Sequence, residues 1–189
     1  MRVRGGRLPA LAGVAVLLTV SVGCGRPGAR AKEAVATVTS PTHTRFDEEI
    51  ELADGRRVGV SYAAGRGLLE QHQDARAGAW SEPRLVYRTA SEPCQSITLK
   101  AFGSTVAVMA NWGRYCADGE PPTESIAGVG SRNLSRWDTK LTKDFDGWTK
   151  VAAVGDPQHL RFTRVSTEWL MRLRWSREEG FAEVEQNPR

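Results

Sequence analysis

The densest group of side chains able to transfer protons in this sequence is Glu70, His72 and Asp74. Carboxylates and imidazoles are common general acids and bases. On a β-strand the three side chains would share one face, because side-chain direction repeats every two residues. The cluster therefore suits either an acid–base site or a solvated strand end, and it is too small and too mixed for a recognised metal site.

Sequence motifs of known catalytic chemistry are absent. The chain has no Gly-x-Ser-x-Gly, His-Glu-x-x-His, phosphate-loop or dinucleotide-binding motif. Glu48, Glu49 and Glu51 crowd one predicted strand, but they lie on alternating faces instead of converging as a glycosidase pair must. The sequence gives no basis for a catalytic residue, a cofactor or a metal ligand, and it favours a binding protein over an enzyme.

A better candidate for binding is the segment from Asn111 to Tyr115, directly before Cys116. It places an amide, two aromatic rings and a guanidinium within five residues. Such a set can stack on a sugar ring or bind a partner protein. The competing interpretation is that Trp112 and Tyr115 pack at the edge of the core. The candidate ligand- or partner-binding residues are Asn111, Trp112, Arg114 and Tyr115.

The first 24 residues have the parts of a bacterial export signal. Three arginines among the first seven residues precede the apolar stretch Leu8–Val22, which is too short to span a bilayer well. The segment ending at Gly23 and Cys24 resembles the lipobox of bacterial lipoproteins, although Ser21 stands where an aliphatic residue is usual. The resemblance implies lipidation of Cys24 and anchoring at the outer face of the cell membrane. Ordinary secretion and an uncleaved anchor are the alternatives.

These features divide the chain into three parts. Residues 1–23 are the predicted lipoprotein signal peptide, residues 24–45 a flexible tether rich in small and polar residues, and residues 46–189 a β-rich extracytoplasmic domain. Loss of the three signal arginines lowers the basic residues from 26 to 23, against 22 acidic residues, which leaves a net charge of +1. A nearly neutral domain argues against binding to nucleic acid.

Lipidation of Cys24 would leave two cysteines, Cys94 and Cys116. An even remainder in an exported chain favours one disulfide between them. A metal pair and two free thiols are the alternatives. Two cysteines without a further Cys or His nearby make a poor zinc site.

Alternating apolar residues predict three β-hairpins. The clearest runs from Ile97 through a turn at Gly103-Ser104 to Trp112, and a glycine at the first central position suits a type II′ turn. This turn places Ile97 opposite Ala110.

The second predicted hairpin turns at Ser166-Thr167. Its turn places Leu160 opposite Leu173, with Arg161 opposite Arg172 on the other face. Basic residues there can attract an anionic lipid surface or form an ordinary solvated face.

The third hairpin joins Glu48–Leu52 to Arg57–Tyr62. A three-residue loop is preferred because it keeps Ile50 and Leu52 on the apolar face. Further short strands are expected at Arg84–Arg88, Ser125–Val129, Thr149–Val154 and Gly180–Val184. With no convincing long amphipathic helix after residue 45, the sequence predicts an all-β domain of about ten strands. Its antiparallel hairpins would form a single sandwich or barrel.

Some features resemble the blades of sialidase-type β-propellers. A Val-x-Val strand recurs 48 residues apart, at Val58 and Val106, and a Trp-x-x-Pro stretch begins at Trp80. The segment Asp144-Phe-Asp-Gly-Trp148 is similar to the Asp-box turn. A propeller needs at least four blades, whereas this domain has room for about three. The resemblance implies a partial propeller-like fold as the alternative architecture.

The sequence therefore predicts a membrane-tethered extracytoplasmic lipoprotein whose domain is a binding or interaction module. Its expected partners are the membrane, through the N-terminal lipid, and an envelope protein or a glycan. The propeller resemblance implies an alternative function, a sialidase-like glycan-binding or glycan-hydrolysing domain, in intact or degenerate form.

Overall fold

The structure is a computed structural model that describes residues 45–189. The predicted signal peptide, Cys24 and the tether up to residue 44 lie outside the described residues. Within the described part, regular structure consists of strands and a single short 3-10 turn, Cys116–Asp118. The strands are β1 (Glu48–Glu51), β2 (Arg57–Ala63), β3 (Gly67–Gln73), β4 (Arg84–Arg88), β5 (Pro93–Phe102), β6 (Thr105–Trp112), β7 (Glu124–Ser131), β8 (Arg136–Lys143), β9 (Lys150–Val154), β10 (Asp156–Val165), β11 (Trp169–Ser176), β12 (Gly180–Phe181) and β13 (Glu185–Pro188).

The strands form three antiparallel sheets that follow one another along the chain. Sheet A contains β1 to β4 and sheet B contains β5 to β8, each as a simple up-and-down meander. Sheet C contains β9 to β12 in the same order, and β13 also pairs with β11. The predicted all-β antiparallel fold is confirmed. None of the three sheets closes into a barrel, and the arrangement is compatible with a sandwich.

Sheet B lies between the other two sheets, and its central strands β6 and β7 are buried on both faces. Along β6, Val106, Val108 and Ala110 belong to a core shared with sheet A. Ala107 and Met109, on the opposite face, belong to a core shared with sheet C. Successive side chains of a strand point to opposite faces, so burial on both sides requires the nearly continuous apolar run of β6.

Side-chain hydrogen bonds link the sheets as well. From sheet A, Arg84 Nη1 donates to the carbonyl oxygens of Leu134 and Ser135, in the turn between β7 and β8 of sheet B, at 2.8 and 2.9 Å. From sheet C, Trp175 Nε1 donates to Asp138 Oδ2 of sheet B at 3.0 Å. These hydrogen bonds give partners to polar groups between the sheets. Burial of such groups without a partner would lower the stability of the fold.

The predicted β5–β6 hairpin is confirmed. Ile97 faces Ala110, Leu99 faces Val108, and the turn lies at Gly103 and Ser104. Gly103 has a φ of +61°, which a glycine adopts without the steric cost that other residues meet there.

The predicted register of the β10–β11 hairpin is wrong by two residues. Leu160 faces Trp175, not Leu173, and Arg161 faces Arg174, not Arg172. The cause lies at the turn, where Ser166 N donates to the Trp169 carbonyl oxygen at 2.9 Å and keeps Ser166 in the ladder. A shift by two positions keeps every side chain on its predicted face, so the apolar face is the same.

The predicted three-residue loop between β1 and β2 is confirmed, since Ile50 faces Val58 and Leu52 N donates to the Arg56 carbonyl oxygen. The predicted strand Arg84–Arg88 coincides with β4. Three strands of the described range were not predicted: β3, which pairs with β2 and β4, β8, which pairs with β7, and β13, which pairs with β11.

Candidate functional site

The predicted disulfide joins Cys94 near the start of β5 to Cys116 in the turn after β6, with 5.3 Å between the Cα atoms. Gly113 lies very close to the disulfide, since a Cβ atom at this position would be 2.9 Å from Cys116 Sγ. Gly113 N also donates to the Glu92 carbonyl oxygen at 2.9 Å. The disulfide and this hydrogen bond hold the start of the loop against β5.

Trp112 does not belong to an exposed binding surface, contrary to the prediction. Its side chain is only 1% exposed and packs in the core between sheets A and B. Its ring centroid lies 5.3 Å from that of Tyr62 and 5.0 Å from that of Tyr87. The strand alternation that buries Val108 and Ala110 on this face continues to Trp112, which therefore packs in the core and is not available to a ligand.

Asn111 is half-buried and points away from the face of Trp112. Its side chain packs against Gly147 of the segment before β9, where a Cβ atom would lie 2.8 Å from Asn111 Oδ1. Tyr62 Oη donates to the Asn111 carbonyl oxygen at 3.2 Å, and burial is the main cause that raises the pKa of Tyr62 to about 12. Asn111 is thus placed to hold neighbouring segments together.

The other two predicted binding residues are exposed. Tyr115 is 54% exposed, and Arg114 is exposed beside it. The Tyr115 carbonyl oxygen accepts hydrogen bonds from the backbone N–H groups of Asp118 and Glu120, which fixes the loop behind the ring. The structure therefore separates the predicted set into two structural residues, Asn111 and Trp112, and two surface residues, Arg114 and Tyr115.

Arg114 lines an open pocket of about 580 Å³ between the disulfide-closed loop and the connection from β4 to β5. The remaining lining residues are almost all polar: Thr89, Ala90, Ser91, Glu92, Thr123 and Glu124. The pocket thus offers a guanidinium, two carboxylates and several hydroxyls to a hydrogen-bonding partner.

The carboxylate of Glu124 is held in place by two hydroxyls. Tyr87 Oη donates to Glu124 Oε2 at 2.9 Å, and Ser91 Oγ donates to Oε1 at 3.2 Å. Burial and then the hydrogen bond to Glu124 raise the pKa of Tyr87 to about 12. Sequence reasoning missed Glu124 and Ser91, because only the pairing of distant strands brings them together.

The predicted Glu70, His72 and Asp74 cluster lies on β3 and just beyond its end. Glu70 is fully buried, and its Oε1 is 2.8 Å from Nδ1 of His72, whose side chain is 28% exposed. Asp74 instead accepts hydrogen bonds from the backbone N–H groups of Ala77 and Arg76, which lower its pKa. The structure therefore brings Glu70 and His72 together but not Asp74, and the three residues do not form one site.

Residues 45–189 contain no group of three or more His, Cys, Asp or Glu side chains placed to hold a metal ion. Over the same residues, no helix is long and apolar enough to cross a membrane.

No protein-family model, no curated protein and no solved structure matches this chain. The functional interpretation therefore depends on the chemistry of the exposed loop and of the pocket beside it.

Proposed function

We propose that this protein is a membrane-tethered extracytoplasmic lipoprotein whose β-domain is a binding module. In this proposal the module engages an envelope partner through Arg114, Tyr115 and the adjoining pocket. The observation that carries the proposal is that Arg114 and Tyr115 are exposed together on a loop closed by the Cys94–Cys116 disulfide.

The residue types of this loop suit protein recognition. Tyrosine and arginine are enriched among the residues that contribute most to binding energy at interfaces. A loop already held by a disulfide and by backbone hydrogen bonds loses less conformational entropy on binding than a free loop. Arg114 also stands at the rim of a polar pocket that can accept hydrogen-bonding groups of the partner.

The tether is proposed from the lipobox-like end of the signal segment at Cys24. The proposal includes the tether predicted for residues 24–45, which would link Cys24 to the β-domain. Fractionation of cells that express the wild-type chain and Cys24→Ser tests this part. We expect the wild type in the membrane fraction with a diacylglycerol-modified Cys24 by mass spectrometry. An unmodified wild-type Cys24 would contradict the lipid anchor.

The binding surface is tested by crosslinking the full-length protein in native envelopes and comparing the captured partners of three chains. These chains are the wild type, Tyr115→Ser and the control Val165→Ser, which changes a similarly exposed side chain on sheet C. We expect one near-stoichiometric partner with the wild type and the control, and its loss with Tyr115→Ser. Equal capture by all three chains would contradict recognition through Tyr115.

A glycan-binding domain is the second candidate, and the pocket beside Arg114 favours it. Glu92 and Glu124 both line this pocket, and carboxylates are good acceptors for sugar hydroxyls. Both oxygens of Glu124 accept hydrogen bonds from protein hydroxyls, which suits a binding role better than a free catalytic carboxylate. The succession of three meander sheets also agrees with the partial propeller-like alternative. Glycan-array binding that Glu92→Gln weakens would favour this candidate over a protein partner.

A further inference from the structure

The outer face of sheet C carries an arrangement of charge that needs an explanation. Arg161 on β10 and Arg174 on β11 are direct cross-strand partners, and both are exposed. Side chains at such positions lie about 5 Å apart at Cβ, and like charges placed directly opposite each other destabilise a sheet. Arg161 and Arg174 are therefore an unfavourable pair. A neutral residue at either position would remove the repulsion.

The described residues neutralise only one member of this pair. Arg174 Nη2 lies 2.6 Å from Glu185 Oε1. Arg161 forms no ion pair or side-chain hydrogen bond with any residue in the described range 45–189. Lys150 and Arg172 lie on the same face, so the positive charge of this surface exceeds what Glu185 can balance.

An open cavity of about 420 Å³ lies over the two arginines. Val154 and Ala182 contribute apolar walls, and Ser176 contributes a hydroxyl. The cavity also includes the exposed Glu179 and His159, whose Nδ1 lies 3.1 Å from Asp156 Oδ1. The two guanidinium groups outnumber the single carboxylate of the lining.

We propose that this cavity binds the phosphate group of a phosphate ester, held between Arg161 and Arg174. A guanidinium presents a planar fork of donors that matches phosphate oxygens, and an anion between two guanidiniums converts their repulsion into attraction. The cavity is larger than one phosphate group. Its apolar walls therefore leave room for the organic part of the ester. The phosphate belongs either to a small soluble ester or to a phospholipid headgroup.

The test measures the unfolding temperature of the full-length protein in a neutral detergent at constant ionic strength. The probes are inorganic phosphate, glycerol 3-phosphate and phosphatidylglycerol added to the micelles, with diacylglycerol as the phosphate-free lipid comparison. A ligand that binds only the folded state raises the unfolding temperature in proportion to its affinity. The variants are Arg161→Gln and the matched control Arg172→Gln, which removes the same charge from the same face outside the cavity lining.

We expect a saturable rise in the wild type and the control, and an apparent affinity at least about tenfold weaker in Arg161→Gln, as loss of a charge-assisted hydrogen bond predicts. Without a probe, Arg161→Gln should unfold no lower than the wild type, because it removes a repulsion. A response to the soluble phosphates assigns the site to a free ester, and a response to phosphatidylglycerol alone assigns it to a headgroup. No response to any probe, or equal weakening in Arg161→Gln and Arg172→Gln, would overturn the proposal.

Discussion

Truncation of Trp112 should remove a large part of the free energy of unfolding of this protein, although the residue lies next to the proposed binding loop. The indole is 1% exposed and contacts the rings of Tyr62 and Tyr87 between sheets A and B. Replacement of a buried tryptophan by alanine costs about 3–5 kcal/mol, because the transfer free energy is lost and a cavity stays behind. Single domains have about 5–15 kcal/mol of stability in total, so Trp112→Ala should remove about a fifth of it or more.

The assay is urea unfolding of the wild type, Trp112→Ala and Tyr115→Ala, followed by far-UV circular dichroism. Tyr115 is 54% exposed, so its truncation should change the free energy of unfolding by no more than about 0.5 kcal/mol. The structure thus predicts opposite phenotypes for two aromatic residues three positions apart. A loss below about 1 kcal/mol for Trp112→Ala would refute the placement of the indole in the core. It would also restore Trp112 as a candidate for direct binding.

Three further outcomes follow from the structure. Removing the disulfide with Cys94→Ser and Cys116→Ser, which are 22 positions apart, should cost about 3 kcal/mol in urea unfolding, since the crosslink restricts the unfolded chain. A double variant as stable as the wild type would contradict this. Backbone hydrogen bonds lower the pKa of Asp74 in the folded state. The ionised carboxylate therefore stabilises the fold above about pH 4, and this stabilisation is lost as the pH falls further. Asp74→Asn should therefore reduce the loss of unfolding free energy at acid pH. An unchanged loss would argue against the hydrogen bonds from the backbone to Asp74. The pKa values of Tyr62 and Tyr87 are raised to about 12. The stabilisation of the fold by their protonated hydroxyls is therefore complete below about pH 10 and is lost as the pH rises through 12. Absorbance at 295 nm should show two tyrosines that ionise well above pH 10. One of these two transitions should be absent in Tyr62→Phe and the other in Tyr87→Phe.

The local pattern of the sequence was sufficient for the hairpins whose turns are chemically specific. Gly103 selects a two-residue turn, and the register of β5 and β6 follows from it. In the β10–β11 hairpin, Ser166 and Thr167 do not select one turn, and the hydrogen bond from Ser166 N to the Trp169 carbonyl oxygen determines the register instead. Side-chain faces are more predictable than pairing, because a shift by two residues preserves the face.

The missed strands show what the local pattern does not contain. Strand β3 has no β-branched residue, and its interior includes Glu70, a charged residue that rarely occupies a core. Pairing with β2 and β4 on both sides makes it a strand. A tertiary contact of this kind is not encoded in any short window of the sequence.

The candidate site was predictable only in part for the same reason. The exposed residues Arg114 and Tyr115 follow the end of β6, where alternation stops and a loop begins. Trp112 shares the face of Val108 and Ala110, so the alternation along β6 predicts its burial, and the competing interpretation of a core-edge residue is the one that agrees with the structure. Glu124 belongs to the pocket through strand pairing with Trp112, which the sequence did not indicate.

The most direct test of the account is site-specific photo-crosslinking in intact cells. The full-length protein would carry p-benzoyl-phenylalanine in place of Tyr115 or, as the control, in place of Val165 on sheet C, which is similarly exposed. We expect one discrete crosslinked species from position 115 that is absent from position 165 and is lost when Arg114→Ala is added. The same species from both positions, or none from position 115, would contradict a binding module that recognises its partner through the disulfide-closed loop.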